Sequence, residues 1–288
     1  MSDAVAVRTI PNVLSIAGSD PGGGAGIQAD LKTFAALEVY GCAVVTLLTA
    51  QNTRGVAGVH LPPAEFVALQ LRTLLDDVTV DAVKIGALGG AGIVRAVAGV
   101  LRSHPAGPVV LDPVIRSGAG QSLLDGDGLD ALRRELMPLA TLVTPNVPEV
   151  GVLLGADAPA TRLEIREAAR ALHGLGAAQV LVTGGHLDDG AECVDILFDG
   201  IRFLELRTPR VPTTGAHGTG CTLSSAIAAF LARGFTMADA CREAQRFVAA
   251  AIAAGADLDV GGGRSPVHPL GALWRRAHGR TTALTEVS

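Results

Sequence analysis

The stretch VLSIAGSDPGGGAGIQADLKTFAALE (residues 13–38) joins an apolar, β-rich run to a helical pattern through a glycine-rich turn. The same succession recurs along the chain, with further apolar runs at 42–50, 80–86, 108–114, 141–146 and 179–185. Strands that alternate with helices are typical of a parallel sheet covered on both faces. The sequence therefore predicts an α/β fold with three layers, α/β/α.

The pattern changes near residue 191, where two apolar runs flank the dipeptide Asp199-Gly200. Asp-Gly suits a tight hairpin turn, so we expect an antiparallel pair of strands after the parallel ones. Two long helices are then predicted, at about 219–233 and 236–254, and the second opens on the cap sequence TMAD. The absence of any linker favours one domain.

The composition favours a globular protein that binds small molecules. Hydrophobic residues make up 49% and charged residues 18% of the chain, which is enough to bury a large aliphatic core. The net charge is −5 and no basic cluster occurs, which argues against a nucleic-acid partner. No apolar run approaches the roughly 20 residues of a membrane span, and no signal-peptide pattern is present, so we expect a cytoplasmic protein.

Glycine-rich and polar segments follow most of the predicted strands: AGSDPGGGAG, AQNTRG, LDPVIRSGAG, TPNVPE and VTGGH. Ligands of an open α/β sheet bind at the carboxyl ends of its strands, so these segments should form one site. The first lacks both the Lys-Ser/Thr ending of a Walker A loop and a clean GxGxxG, and a crossover without ligand stays open. Asp20, Gln28 and Asp30 favour ligand contact there.

The segment TPNVPEVGVLLG (144–155) places Asn146 and Glu149 three residues apart at a predicted helix start, with Pro148 in the first turn. Both side chains then face the same point. Carboxylate and amide oxygens suit Mg²⁺, usually through water and with phosphates as further ligands. A capping residue followed by a glutamate that compensates the helix dipole explains the same pattern, and both interpretations stay open.

The stretch HGTGCTLSSAIAAF (217–230) begins a long apolar helix with Gly218, Thr219 and Gly220, whose backbone amides are unhindered. A helix N-terminus carries unpaired N–H donors and a partial positive charge, which predicts an anion site. Fixed donors of this kind stabilise a phosphoryl group during transfer. Cys221 lies in the same field, so we expect its thiolate to be favoured, although cysteine is also a common small hydrophobe.

In these segments the sequence resembles the hydroxymethylpyrimidine/phosphomethylpyrimidine kinases of thiamine biosynthesis, a branch of the ribokinase-like superfamily. The resemblance runs over about residues 12–275 and rests on LSIAGSDPGGGAGIQADLKTF, VDAVKIG, LVTPNVPE, HGTGCTLSSAIAAFLARG and SPVHPLGALW. It implies a single ribokinase-like domain over residues 1–288 with a mostly parallel sheet. It also implies that ATP and Mg²⁺ serve to phosphorylate 4-amino-5-hydroxymethyl-2-methylpyrimidine and then its monophosphate. The superfamily often forms homodimers.

The resemblance also implies roles for individual residues. The acceptor pyrimidine is expected at Gly18, Ala25, Asp30, Gln51 and Ala87. The ATP phosphates and Mg²⁺ are expected at Asp112, Asn146, Glu149, Thr183 and His217, with Glu149 holding the metal through water. The anion hole is expected at Gly218, Thr219 and Gly220. Cys221 stands where many sugar kinases of the superfamily have an aspartate as general base.

Two departures from the family pattern leave the acceptor open. Ala87 replaces a methionine of the acceptor pocket, which widens that pocket, and Thr183 replaces a lysine near the ATP phosphates. Arg116 is one candidate for supplying the missing charge. The alternatives are a pyridoxal kinase of the same superfamily and a non-catalytic ligand-binding descendant. A dinucleotide-dependent oxidoreductase is disfavoured because the second strand lacks the acidic residue that would bind ribose.

Overall fold

The computed structural model describes residues 10–118, 120–185, 190–213 and 217–277. Within these ranges the strands are β1 Asn12–Ser19, β2 Tyr40–Asn52, β3 Gly55–His60, β4 Ala82–Ile85, β5 Val109–Leu111, β6 Leu142–Val143, β7 Val180–Val182, β8 Glu192–Phe198 and β9 Phe203–Pro209. The helices are α1 Gly26–Ala36, α2 Ala64–Leu75, α3 Ala91–Ser103, α4 Gly126–Ala131, α5 Val147–Leu154, α6 Arg162–Gly174, α7 Thr219–Ala232, α8 Met237–Gly255 and α9 Gly271–Ala277.

The strands form one mixed sheet in the order β3-β2-β1-β4-β5-β6-β7-β8-β9. The six central strands, from β2 to β7, pair in parallel, whereas β3 at one edge and the β8–β9 hairpin at the other are antiparallel. The predicted mostly parallel sheet and its late hairpin are confirmed. The strand order reverses between β1 and β4, and a crevice at such a switch point is where open α/β sheets bind ligands.

The edge strand β3 was not predicted from the sequence. The AQNTRG segment was expected to be a loop, but β2 continues to Asn52 and the chain returns as β3 after a turn at residues 53 and 54. The Asn52 side chain closes this turn, because its Oδ1 accepts hydrogen bonds from the amides of Arg54 and Gly55. An asparagine that bonds to the backbone two residues ahead is a turn signal in its own right.

The helices cover both faces of the sheet and complete the three predicted layers. Helices α2 to α6 pack on one face around a core that includes Leu14, Ile85 and Leu111. Helices α1, α7 and α8 pack on the other face around Val13 and its neighbours. Adjacent residues such as Val13 and Leu14 belong to different cores because successive side chains of a strand point to opposite faces.

The two long helices near the end of the chain lie within a few residues of their predicted bounds. Thr236 caps α8 as the TMAD pattern predicted, because its side chain accepts from the Asp239 amide and its hydroxyl donates to the Asp239 carboxylate. The segment 126–139, for which no element was predicted, forms α4 and then short π and 3₁₀ turns. Among the described residues, every helix is too short or too polar for a membrane span.

Candidate active site

Two adjoining cavities open at the carboxyl ends of the central strands. The first cavity, of about 300 Å³, lies among the loops after β1, β2 and β4 and the start of α7. The second cavity, of about 410 Å³, lies among the loops after β6, β7 and β9, α7 and α8. The residues that line both cavities are Asp112, Asn146, Glu149, Thr219, Gly220 and Arg264. The start of α7 therefore forms a junction between them.

Most of the predicted site residues converge on these cavities. The first cavity is lined by four residues predicted for the acceptor, namely Gly18, Ala25, Gln51 and Ala87, together with Gly218 and Cys221. Thr183 lines the second cavity. Three of the residues predicted for ATP and Mg²⁺, namely Asp112, Asn146 and Glu149, line both cavities.

Asp20 organises the glycine-rich loop between β1 and α1. Its carboxylate accepts hydrogen bonds from the amides of Gly22, Gly24 and Ala25 at 2.9 to 3.1 Å. Burial alone would raise the pKa of this carboxyl, but the hydrogen bond from His217 and those from the loop amides outweigh it, so the pKa is lowered. Asp20 is therefore an anion that holds the loop closed over the first cavity.

The first loop and the start of α7 approach each other at a glycine. Gly218 has φ +86°, and a Cβ atom there would lie 1.8 Å from the carbonyl oxygen of Gly24. Only glycine fits this combination of a left-handed backbone and direct backbone contact. The Gly218 position thus joins segments that are nearly 200 residues apart in the sequence.

His217 was predicted to lie with the ATP group, whereas the structure places it among the residues of the first cavity. Its Nε2 atom lies 3.1 Å from Asp20 Oδ2 and 3.3 Å from Gln51 Nε2, and the residue lines the first cavity rather than the second. A hydrogen bond to the Asp20 carboxylate requires the proton on His217 Nε2, whereas a hydrogen bond from Gln51 Nε2 requires that atom to be unprotonated, so His217 bonds to one of these partners at a time. His217 therefore connects the glycine-rich loop to the predicted acceptor residue Gln51.

Asp30 was predicted to contact the acceptor, but its carboxylate is buried behind the cavity wall. The side chain is fully buried and accepts from Ser15 Oγ at 2.6 Å, Ser225 Oγ at 2.7 Å and Lys84 Nζ at 2.9 Å. Lys84, from β4, is equally buried and lines the first cavity. Asp30 is thus the counter-ion of Lys84, because a buried charge requires a partner.

Lys84 was not identified from the sequence, although the strand VDAVKIG carried a signal. A lysine in a strand that is otherwise apolar is a charge that must be buried and paired. Burial alone would lower the pKa of the Lys84 ammonium, but the Asp30 carboxylate, with Cys221 and Asp112 nearby, raises it above its usual range. Lys84 therefore presents a permanent positive charge to the first cavity.

The first turn of α7 has no side-chain cap. Its cap, Gly218, provides no side-chain hydrogen bond, and the first bond within the helix runs from the Thr222 amide to the Gly218 carbonyl. The amides of Gly220 and Cys221 therefore have no acceptor within α7. Thr219 and Gly220 lie where both cavities meet, and Cys221 lines the first cavity. This arrangement fits the predicted anion site.

The prediction that the Cys221 thiolate is favoured is wrong. Burial raises the pKa of the Cys221 thiol to about 12, and the carboxylates of Asp112 and Asp30 add to this. The ammonium of Lys84 and the amide of Gly26 act in the opposite direction without overcoming it. Desolvation outweighs the field of the helix N-terminus here, because a half-buried sulfur loses more hydration than the dipole returns.

Asn146 and Glu149 form a capping box at the start of α5. Asn146 Oδ1 accepts from the Glu149 amide and Glu149 Oε2 accepts from the Asn146 amide, both at 2.9 Å. The pair therefore caps α5, which was one of the two interpretations of this segment. The Asn146 oxygen is engaged in this box, and the Glu149 carboxyl also accepts from the Ile115 amide. Asn146 and Glu149 both line the two cavities.

Asp112 and Glu149 are the residues that fit a divalent cation. Burial and the charge of Asp112 raise the pKa of Glu149 to about 8, and burial raises that of Asp112 to about 6. Two desolvated carboxylates that repel each other are stabilised by a cation. No group of three or more His, Cys, Asp or Glu ligands occurs in the described part of the chain. Such a cation would depend on water and phosphate, as Mg²⁺ does.

The arginines of the site were not assigned correctly from the sequence. Arg116 lines the first cavity, so its position does not support a role in replacing the lysine at Thr183. Arg210 lines the second cavity and donates to the carbonyl oxygen of Gly185 at 3.1 Å. Arg264 lines both cavities. The glycine-rich sequence around it did not indicate that it lies at the site.

Comparison with known proteins gives a consistent result. A family model described as phosphomethylpyrimidine kinase matches residues 20–268. The hydroxymethylpyrimidine/phosphomethylpyrimidine kinase of Escherichia coli is 46% identical over 263 residues, which are 91% of this chain and 98% of that enzyme. A chloroplastic thiamine biosynthetic bifunctional enzyme of Arabidopsis thaliana is 47% identical over 263 residues, 91% of this chain and 50% of the enzyme. The chain thus spans about half the length of such bifunctional relatives.

A solved structure gives the same result for the fold. The ADP complex of Bacillus subtilis pyridoxal kinase matches with a TM-score of 0.83 and 35% sequence identity. The match covers 92% of this chain and 100% of that one. The predicted ribokinase-like architecture is confirmed.

Proposed function

The chain belongs to the phosphomethylpyrimidine kinase family, and on this basis we propose that it transfers the γ-phosphate of ATP to 4-amino-5-hydroxymethyl-2-methylpyrimidine and then to its monophosphate. The reaction serves thiamine biosynthesis. The proposal includes a single kinase domain with its core at about residues 12–275 and a cytoplasmic location, where ATP and Mg²⁺ are supplied. A homodimer stays a prediction.

One observation carries this proposal. The uncapped N-terminus of α7 lies at the junction of two cavities, beside the buried carboxylates of Asp112 and Glu149. A phosphoryl group that passes from a donor in the second cavity to an acceptor in the first must cross this junction. Amide donors fixed at the crossing point stabilise the charge on the transferred group, and such stabilisation is the main task of a phosphotransferase.

The first cavity suits a flat heterocycle with polar edges. Its polar residue Gln51 has an amide that can both donate and accept, which matches a ring nitrogen next to an amino group. Leu47, Ala17 and Ala87 supply apolar surface for the ring. Its volume of about 300 Å³ lies at the lower end of the range for small-molecule sites, as expected for a single ring.

The remaining roles follow from position. Asp112 and Glu149 would hold Mg²⁺ through water, and the ion supplies charge neutralisation on the phosphates of ATP. Lys84 adds a positive charge to the wall of the first cavity. Cys221 lines the same cavity, and the small thiolate fraction that its raised pKa allows is the proposed acceptor of the proton that the substrate hydroxyl loses. Thr183 and Arg210 lie on the donor side.

A second candidate function is phosphorylation of pyridoxal. Ala87 places a small side chain in the wall of the first cavity, which leaves room for the more substituted ring of pyridoxal. The similarity to the Bacillus subtilis pyridoxal kinase supports this alternative. It requires the same phosphate chemistry and differs only in the acceptor.

Product analysis with ATP and Mg²⁺ separates these possibilities. We expect the pyrimidine alcohol to give the monophosphate and then the diphosphate, with pyridoxal at least about tenfold slower in kcat/KM, a difference of one or two contacts in the pocket. Faster turnover of pyridoxal would make the acceptor assignment wrong. Absence of ATP consumption with all three acceptors would favour a non-catalytic ligand-binding protein.

A further inference from the structure

Among the basic side chains that line the first cavity, two arginines have no carboxylate partner in the described part of the chain. Lys84 is neutralised by Asp30 at 2.9 Å, and Asp20 is bonded to His217 at 3.1 Å. Arg116 and Arg264 also line this cavity, and neither forms an ion pair with a carboxylate among the described residues. The wall of the first cavity therefore carries two guanidinium groups that form no ion pair with a described residue, in addition to the acidic groups of Asp112 and Glu149.

The backbone around Arg264 fixes its guanidinium at the cavity wall. The Arg264 amide donates to the Thr53 carbonyl at 2.9 Å, and the amide of Gly263 donates to Thr53 Oγ1 at 3.1 Å. These bonds fasten the segment after α8 to the turn between β2 and β3. The guanidinium then donates to the carbonyl oxygen of Gly118. Arg264 is thus held at both its backbone and its side chain.

Arg116 lies in the same turn that Arg264 contacts. The turn is closed by a hydrogen bond from the Ser117 amide to the Gln121 carbonyl at 2.7 Å and by a backbone bridge between Arg116 and Ser122. The Arg116 guanidinium makes no hydrogen bond or ion pair with any described residue. It is therefore available to a ligand in the first cavity.

We propose that Arg116 and Arg264 bind the phosphate that the acceptor already carries in the second transfer. This inference rests on the proposed function, in which the acceptor changes from a neutral alcohol to a phosphate monoester. The monoester brings a charge of about −1.5 to −2 close to the carboxylates of Asp112 and Glu149. Guanidinium groups bind phosphate oxygens in pairs and offset this repulsion.

The two anions at the junction, the transferred γ-phosphoryl group and the acceptor phosphate, then have separate binding groups. In the second transfer an oxygen of the acceptor phosphate forms a bond to the γ-phosphorus of ATP, and the bond from that phosphorus to the β-phosphate oxygen breaks to release ADP. The amides of α7 hold the γ-phosphoryl group. The two arginines hold the acceptor phosphate. In the first transfer the acceptor is a neutral alcohol, so the γ-phosphoryl group is the one anion of the two, and the arginines are not required.

The experiment compares Arg116→Gln and Arg264→Gln with Arg54→Gln as matched control. Arg54 borders a small neighbouring cavity with Arg264 but does not line the first cavity. At saturating ATP and Mg²⁺ we expect kcat/KM for the monophosphate to fall about 10- to 100-fold in each test variant, as for loss of a charge-assisted phosphate contact. With the alcohol, kcat/KM and the KM for ATP should stay within about threefold. Arg54→Gln should change neither reaction.

Two results would overturn the inference. An equal fall with the alcohol and the monophosphate would mean that the arginines act on ATP or on the transferred group. Unchanged kinetics with the monophosphate would mean that they do not contact it. A binding measurement without ATP tests this inference independently of the proposed function. If the wild type transfers no phosphate but still binds the monophosphate, weaker binding by the Arg→Gln variants upholds the inference. Equal binding by the variants overturns it.

Discussion

Helices α5 and α7 both begin at the junction of the two cavities, but their first turns are built in opposite ways. The α5 start is closed by the Asn146–Glu149 capping box, and Pro148 in its first turn has no amide hydrogen to offer. The α7 start has a glycine cap without side-chain bonds. One N-terminus thus presents a carboxyl group to the junction, and the other presents backbone amides without a side-chain cap.

This difference separates two electrostatic tasks that a phosphoryl transfer requires at one point. A cation site needs fixed negative groups, and Glu149 provides one where the dipole of α5 and the box hold it in place. An anion site needs donors without competing side chains, which the glycines of α7 provide. With capping residues at both helices the junction would lack the anion site, and with none at either helix it would lack the cation site.

The largest effect is expected from Gly218→Ala, which displaces the start of α7 and so removes its uncapped amides from the junction. The added Cβ would lie 1.8 Å from the Gly24 carbonyl oxygen, so the glycine-rich loop and the amides must separate. We expect kcat to fall by about 10³ or more, the scale for loss of fixed donors to a developing charge. Steady-state kinetics with both pyrimidine acceptors measure this.

Gly234→Ala is the matched control for this variant. Gly234 has φ +87°, nearly the same left-handed value, but a Cβ there meets no atom within 4 Å. Both variants carry the backbone cost of about 1 kcal/mol for alanine in that region, measured as a loss of unfolding free energy. Normal turnover by Gly218→Ala would show that the contact between the two loops is dispensable.

The second effect concerns the proton acceptor beside the α7 amides. Cys221→Ala should lower kcat about 10²-fold while the protein remains folded, the scale of general base catalysis. Cys241→Ala, a buried thiol on α8 that lines neither cavity, is the control. With a Cys221 pKa of about 12, the thiolate fraction rises about tenfold per pH unit, so kcat should increase from pH 7 to 9. A rate independent of both pH and Cys221 would exclude the thiol as base.

Local sequence patterns predicted the fold of this chain but not the ionisation state of Cys221. The alternation of strands and helices, the Asp199-Gly200 hairpin and the cap of α8 are determined by residues within a few positions of each other, and all were predicted. The ionisation of Cys221 depends on Lys84, Asp112 and burial from several segments. No short window of sequence contains that information.

The polar contacts of the site illustrate the same limit. Lys84 meets Asp30 across 54 positions, and His217 meets Asp20 across 197. Asp30 and His217 were proposed as site residues from the sequence, which did not predict the partners that their side chains meet in the fold. The edge strand β3 was missed because it is short, contains glycines and lies at the sheet edge, where alternation of polar and apolar residues is weak.

The third prediction tests the carboxylate of α5 apart from its capping role. Glu149→Gln retains a side chain that can complete the box, so stability should stay within about 0.5 kcal/mol. Activity should fall about 10- to 100-fold and need more Mg²⁺, the range for perturbed metal sites. Glu164→Gln, in the equivalent Thr161–Glu164 box of α6, is the control and should retain full activity.

The pKa of Glu149 adds a pH dependence to this test. Because this pKa is about 8, the Glu149 carboxyl is mostly protonated at neutral pH when no metal is bound. Mg²⁺ binding must therefore release that proton. The apparent Mg²⁺ affinity of the wild type should therefore rise from pH 6 to 8 more steeply than that of Glu149→Gln, as titrations of activity against Mg²⁺ would show. Identical slopes would place the metal elsewhere.

The smallest effect is expected from Asn146→Ala, which opens the α5 cap but leaves the carboxylate of Glu149 present. Loss of one capping bond should lower the unfolding free energy by about 1 kcal/mol, and Thr161→Ala at α6 should cost a similar amount. Because Asn146 Oδ1 is bonded to the Glu149 amide and not directed at the cavities, kcat should fall only a few-fold, through a less fixed Glu149. Denaturant unfolding and kinetics on the same samples measure both quantities. A loss of activity as large as that of Glu149→Gln would mean that the Asn146 amide itself binds the ATP–metal complex, and α5 would then contribute two ligands rather than one ligand and its support.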